Sequence, residues 1–441
     1  METVSVIGAG LAGAEAAYQL SRRGVPVRLI EMKPQKKTPA HKSDLFGELV
    51  CSNSLRNAEL TSAPGLLKEE LRRAGSLMMQ AADASRVAAG GALAVDRVRF
   101  ASYITDALRA AGNIEIVERE ATEIPDGIAV VATGPLTSDA LAARIVSLTG
   151  QGGLSFFDAA APIVDFASID MTKAFFASRY GKGDADYINC PMNEAEYTAF
   201  WQALVAAEEA PLHDFDRGAP LTVFEGCMPV EIMAKRGPET LRFGPLKPVG
   251  IRHPVTGEKY YAVVQLRRED EAGTMFNLVG FQTHLTFPEQ RRVFGMIPGL
   301  ERAQFFRYGV MHRNTFLNSP TLLAADYSLR ARPTLFFAGQ MTGVEGYIES
   351  AASGYIAGFS AACRARGIEP PLFPAETMMG AMARYVSGGG AGDFQPMNAN
   401  FGIIPPLPER LRGGRRVRYA AYAERALKAL DAMDLLPEPA R

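Results

Sequence analysis

The chain has 441 residues, a length that fits two to three domains; 47% hydrophobic and 22% charged residues exclude disorder, collagen and long coiled coil. Forty-seven Lys+Arg against 48 Asp+Glu leave a formal charge of -1, which excludes a globally basic nucleic-acid coat but not local basic patches. Four scattered cysteines exclude a secreted disulfide framework, and with no CxxC or HxxxH pair and five His no metal site is expected.

Glu2 and Glu15 interrupt the N-terminus where a signal peptide needs a basic and then an apolar stretch. No window reaches the ~20 uninterrupted apolar residues of a membrane span. The expectation is a soluble, cytoplasmic chain. Residues 3–7 (TVSVI) predict a buried parallel strand. Gly8-Ala9-Gly10-Leu11-Ala12-Gly13 follows at once, then a helix closed by Gly24, then a second strand over 25–31 that ends in Glu31 and leads into Met32. Strand, GxGxxG, helix, strand, acid is the dinucleotide fingerprint in its required context. Gly8 permits the turn, Gly10 lets backbone approach a pyrophosphate, and Gly13 lets helix and strand pack. The helix N-terminus offers N–H groups to phosphate, and Glu31 is placed to accept from ribose hydroxyls.

Further along, 128–137 (IAVVATGPLT) predicts a strand followed by Ala132-Thr133-Gly134, similar to the second signature of flavoproteins with two dinucleotide-binding domains. Residues 334–362 predict a strand, a Gly-rich turn and a long helix from about Val344, resembling the C-terminal FAD segment of that group. Gly339, Gln340, Gly343 and Tyr347 fall in this segment; Gln340 stands where many flavoenzymes have Asp. Three separated segments building one site point to tightly bound FAD. No second GxGxxG follows a strand, and Gly388 to Gly392 read as a loop, so a nicotinamide would dock without a second complete fingerprint.

The fold class predicted is α/β: a Rossmann-like FAD-binding domain (1–165 plus 300–441) interrupted by an α+β insertion domain (166–299). In the insertion, YAVVQLR and FNLVGFQ read as antiparallel strands and EAEYTAFWQALVAAEE as a helix capped near Asn193. The tail from Leu411 reads as a basic cluster and an amphipathic helix, serving either as a packed, solvated helix or as a phosphate contact. Cys51 in CSNS and Cys227 between Gly226 and Met228-Pro229 are the two cysteines in polar or turn surroundings; Cys190 and Cys363 read as structural.

The blocks GAGLAGAEAA, TPAHKSDLFGELVCSNSLRN, GGALAVDR, FGPLKPVG, RYGVMHRNT and AGQMTGVEGYIESAASG resemble the folate- and FAD-dependent tRNA (uracil-5-)-methyltransferases of the GidA-related flavoprotein group, over nearly the whole chain. The resemblance implies transfer of a one-carbon unit from 5,10-methylenetetrahydrofolate to C5 of uridine 54 in the tRNA T-loop. Reduced FAD would supply electrons and NAD(P)H would be the reductant. The functional cysteines implied are Cys227, adding to uracil C6, and Cys51, assisting, with the reverse assignment open. Tyr347 matches a tyrosine near the flavin ring, and His312 is a candidate for the folate pterin. Lys235-Arg236, Arg291-Arg292 and Arg415-Arg416 are candidates for tRNA phosphates. No obligate protein partner is evident. The alternatives are a small-molecule flavin/thiol oxidoreductase, a GidA-like wobble-uridine modifier, or a non-enzymatic flavoprotein.

Overall fold

Val4–Ile7 forms a strand (β1) whose four residues are all buried, as a central parallel strand covered on both faces requires. It pairs in parallel with Val27–Glu31 (β2) on one side and Ala129–Val131 on the other, with Val6 opposite both Leu29 and Val130. Arg332–Phe337 adds beyond Ala129–Val131 and Ile114–Glu118 beyond β2. Ser328–Leu329 closes one edge antiparallel, completing a six-stranded sheet. The chain is described here by a computed structural model at residues 1–38, 40–150, 154–159, 161–181, 184–210, 228–309, 311–389, 394–409, 413–433 and 435. At 154–159, 311–315 and 389 the description is of backbone alone. Cys227 and residues 390–393 of the glycine-rich loop lie outside the described residues.

Leu11–Ser21 (α1) follows the glycine turn, and Gly24 ends the segment at a φ of 74°. The long helix Tyr347–Ala365 crosses α1 at backbone contact. A Cβ on Gly354 would sit 2.2 Å from the Ala12 carbonyl oxygen, and one on Gly358 2.6 Å from the Ala16 carbonyl oxygen. Two glycines four residues apart lie on one face of a helix, so they open a slot for the second helix. This crossing brings the N-termini of both helices to the same end of the sheet. The long helix starts at Tyr347, three residues later than the Val344 expected. Gln340–Thr342 forms a 3-10 turn first, and Gly343 (φ 85°) and Gly346 (φ 120°) hold left-handed backbone between the two.

A second six-stranded sheet runs in the order Phe175–Ala177, Tyr187–Met192, Ala262–Arg268, Met275–Leu278, Ile163–Asp165, Phe305–Arg307, every pair antiparallel. It has its own hydrophobic core, built on Val164, Ile188, Val264, Phe276 and Phe294. Helix Glu194–Val205 covers it, opened by a capping box between Asn193 and Glu196. The sheet takes in strands on both sides of 166–299, because the two strands that close its edge, Ile163–Asp165 and Phe305–Arg307, pair with each other. Leu154–Ala159 and Met311–Phe316 pair antiparallel where the chain leaves and re-enters this lobe. The tail helix Arg415–Asp431 buries Ala423, Ala426, Leu427 and Leu430 against the first lobe. No helix among the described residues is long and apolar enough to cross a membrane.

Buried carboxylates tie helices together across the first lobe. Glu70 accepts from the Met378 and Met379 N–H groups, at 2.7 and 2.9 Å, at the start of Met378–Arg384. Burial pushes its pKa from the ordinary 4.5 up to about 7. A carboxyl raised on folding stabilises most below its unfolded value and loses that contribution as pH rises through its folded value. Stability therefore falls between pH 4.5 and about 7 through Glu70. Glu70→Gln is expected to flatten that segment of the urea-midpoint-versus-pH curve, by on the order of 3 kcal/mol at most.

Candidate active site

One cavity of about 400 Å³ lies where β1, α1 and the long helix meet. Gly8, Gly10, Leu11 and Ala12 of the first turn line it, with Glu31 and Met32 from the end of β2. Ala132, Thr133 and Gly134 line it from the second segment, and Gly339, Gln340 and Tyr347 from the third. The three segments separated in sequence thus form one wall. Ala9, Gly13 and Gly343 stand behind that wall. Ala9 is fully buried, with its N–H donating to Glu31 Oε2 at 2.6 Å. Gly13 packs where a Cβ would be 1.8 Å from the Gly8 carbonyl oxygen, and a Cβ on Gly343 would meet the Phe394 ring at 2.3 Å.

Several features fit FAD, the group such a fold holds. Gly10 has an ordinary φ of -70°, so its backbone would accept any residue, and a Cβ there would meet nothing within 4 Å. Its lack of a side chain serves the cavity, since any substituent would occupy ligand space. Neither α1 nor the long helix has a side-chain cap at its N-terminus. Their leading N–H groups and positive dipole ends are directed to the cavity end of the sheet, which suits an anionic pyrophosphate. Glu31 also accepts from the Lys33 N–H at 3.0 Å, and a carboxylate retains lone pairs beyond these two bonds. Gln340 donates to Glu345 at 2.6 Å, which fixes the amide at the cavity wall.

Cys51 reaches the same cavity, and its loop is held on every side. The Cys51 and Ser52 N–H groups donate to the Tyr347 hydroxyl oxygen at 2.7 and 3.0 Å. Arg97 donates to the carbonyls of Leu49 (2.8 Å) and Cys51 (3.1 Å), and Arg307 donates to the Val50 carbonyl. Arg267 of the second sheet donates to the Ser52 hydroxyl at 2.6 Å and to Asn53 Oδ1 at 3.1 Å. Asn53, fully buried, donates onward to the Val95 and Arg268 carbonyls. Arg97 also pairs with Glu269 at 2.6 Å. Burial opposes the charge on both Arg97 and Arg307. At Arg97 the surroundings, Glu269 foremost among them, together outweigh burial and its pKa is raised, whereas that of Arg307 is lowered. Burial pushes the Tyr347 phenol up, so it stays protonated. Sequence reading found Cys51 and Tyr347 but not these arginines, which carry no local motif.

Cys190 and Cys363 are fully buried and burial raises both thiols, Cys363 to about 11, which suits structural residues. His312 is described through its backbone alone, opposite Asp158 in the strand pair between the lobes. Of the basic pairs, Lys235 bonds Glu209, Arg292 pairs with Glu289 at 2.6 Å, and Arg415 and Arg416 are exposed at the start of the tail helix.

A glycine-turn strand, two helix N-termini and a second glycine-bounded segment around one cavity define an FAD-binding, Rossmann-type flavoprotein. Residues 3–369 match the family model for glucose inhibited division protein A. Aquifex aeolicus GidA has the same fold, with a TM-score of 0.71 at 18% identity over 99% of this chain and 74% of that one. Two curated methylenetetrahydrofolate–tRNA-(uracil-5-)-methyltransferases named TrmFO are much more similar in sequence. That of Brevibacillus brevis is 57% identical and that of Heliobacterium modesticaldum 59%, each over 97% of both chains. The chain belongs to the TrmFO family within the GidA-type flavoproteins.

Proposed function

We propose that this protein is a methylenetetrahydrofolate–tRNA-(uracil-5-)-methyltransferase that forms 5-methyluridine at position 54 of the T-loop. Identity above 55% over almost the entire length with relatives of that name supports the reading. The single structural observation that carries it is the cavity lined by both the glycine turn and Cys51, which puts a thiol beside the cofactor cradle.

When bound, reduced FAD supplies the two electrons that take a methylene group to the methyl level. Gly8, Gly10 and the N-terminus of α1 would hold its pyrophosphate, Glu31 its ribose, and the N-terminus of the long helix would face the flavin pyrimidine. Each turnover spends two electrons, so a reductant must restore the reduced flavin, and NAD(P)H is the one proposed. Uracil C5 is a weak nucleophile until a thiolate adds to C6 and leaves an enolate. Cys227 is proposed as that thiolate and Cys51 as the thiol that assists loss of the C5 proton. Tyr347 holds the Cys51 loop against the cavity, and His312 is proposed to meet the pterin. The exposed Arg415 and Arg416 remain proposed phosphate contacts, and such binding should weaken as salt rises. Extruding the target base costs a few kcal/mol, which contacts in the cavity must recover.

The test is anaerobic mixing of the photoreduced holoprotein with methylenetetrahydrofolate and an unmodified tRNA transcript, followed by nucleoside analysis. One 5-methyluridine per transcript, at position 54, is the expected product. Its absence, with turnover of quinones or small disulfides in its place, would move the protein to the oxidoreductase reading.

A further inference from the structure

Three guanidiniums and one carboxylate are gathered around the 49–53 loop, and the mechanism above uses none of them. Arg97 comes from the first lobe. Arg267, Glu269 and Arg307 come from the second sheet or the residue just after one of its strands. Arg97 and Glu269 neutralise one another at 2.6 Å. Arg307, half-buried and bonded to the Val50 carbonyl, and Arg267, 8% exposed and bonded to Ser52 and Asn53, have neutral partners in this loop. The loop therefore sits in an excess of positive charge, delivered largely by the opposite lobe. Cys51 lies within electrostatic range of both Arg97 and Arg307. Beside the loop Tyr347 is neutral by burial, and across the cavity the Arg56–Glu349 pair (3.6 Å) is balanced. Other carboxylates of the cavity are held by groups other than the loop's arginines: Glu31 accepts from the Ala9 and Lys33 N–H groups, Glu48 from those of Lys42 and Ser43, and Glu345 from the Gln340 amide, while Lys33 and His41 add positive or neutral groups on the same side. Arginine cannot discharge by losing its proton in this range, so these guanidiniums favour an anion nearby.

We propose that Arg97 and Arg307 are positioning residues that hold the Cys51 loop at the cavity wall and keep its sulfur as the thiolate, its proton released to solvent. Because Arg307, bonded here to a neutral carbonyl, comes from the second lobe, Cys51 is armed only while the two lobes are docked. The inference rests on the proposed function for the use made of the thiolate, not for its existence.

The experiment measures alkylation of Cys51 by iodoacetamide across pH, in FAD-loaded Cys227→Ser protein, without folate or tRNA. Cys190 and Cys363 are fully buried, so the fast phase reports Cys51. The expected inflection lies at least about one pH unit below the ~8.5 of an unperturbed thiol. Arg307→Gln should move it up and slow alkylation at pH 7 roughly fivefold, and Arg307→Lys should stay within about twofold of the parent. An inflection at or above ~8.5 with all the arginines intact overturns the inference, whether or not Arg307→Gln folds. So does an unmoved inflection in Arg307→Gln, or a lysine variant as slow as the glutamine one, which would reduce Arg307 to packing. The assay uses neither substrate of the proposed reaction. Absence of 5-methyluridine in the first test would leave this result standing, and the converse holds.

Discussion

Gly10→Val is expected to yield a folded protein without flavin, and Gly354→Val a protein that does not fold. Both replace glycine by the same side chain, and the difference lies in what the new atoms meet. At Gly10 the backbone is ordinary (φ -70°) and a Cβ finds nothing within 4 Å. A valine there stands in the cavity and gives up only a modest N-cap preference, so thermal stability of the cofactor-free protein should fall by no more than about 1 kcal/mol. FAD affinity should drop at least about 100-fold, since the loss of even two good contacts costs that much. At Gly354 a Cβ would be 2.2 Å from the Ala12 carbonyl oxygen, a backbone atom that no rotamer change can move. Separating the long helix from α1 there should cost upward of about 3 kcal/mol. Flavin absorbance after gel filtration and a thermal melt distinguish the two. A yellow Gly10→Val protein at full occupancy would remove the glycine turn from the cofactor site.

Cys227→Ala is expected to lower methyl transfer by at least about a thousandfold while the protein stays yellow, because the sulfur proposed to bond C6 is gone. Cys51→Ala should cost roughly a hundredfold or more, the scale of a lost proton-transfer group. A transcript with 5-fluorouridine at the target separates the two roles. Fluorine replaces the proton whose loss releases the adduct, so the thiol that adds to C6 stays bonded to RNA. Cys51→Ala should still form that adduct and Cys227→Ala should not; the opposite pattern would exchange the two cysteines.

Much of the first lobe was legible because its signals are local. A four-residue apolar strand, a glycine turn and a helix read in sequence order need only near neighbours; β1 and β2 lie within two residues of expectation, and α1 starts at Leu11, three residues earlier than expected. The insertion's antiparallel strands and the Asn193 cap were legible for the same reason. Gly13 makes room for the Gly8 carbonyl, the packing role read for it, and Gly343 makes room for the Phe394 ring, whereas Gly10 and Gly134 leave open space. The start of the long helix was misjudged by three residues because Gly343 and Gly346 take left-handed backbone, which a periodic pattern does not register.

By itself the sequence determined that a dinucleotide turn exists, that three segments suit one flavin, and that two cysteines stand apart from the structural pair. Each of these depends on residue type within a few positions. Only the tertiary structure decided what surrounds Cys51. Arg97 is 46 residues from Cys51 and Arg307 is 257 from Val50, and their guanidiniums arrive from two different lobes. An arginine reads alike in sequence whether it faces water or a backbone carbonyl of a loop distant in the chain. Its role is set by the docking of the second sheet against the first lobe, an interaction that no local pattern encodes.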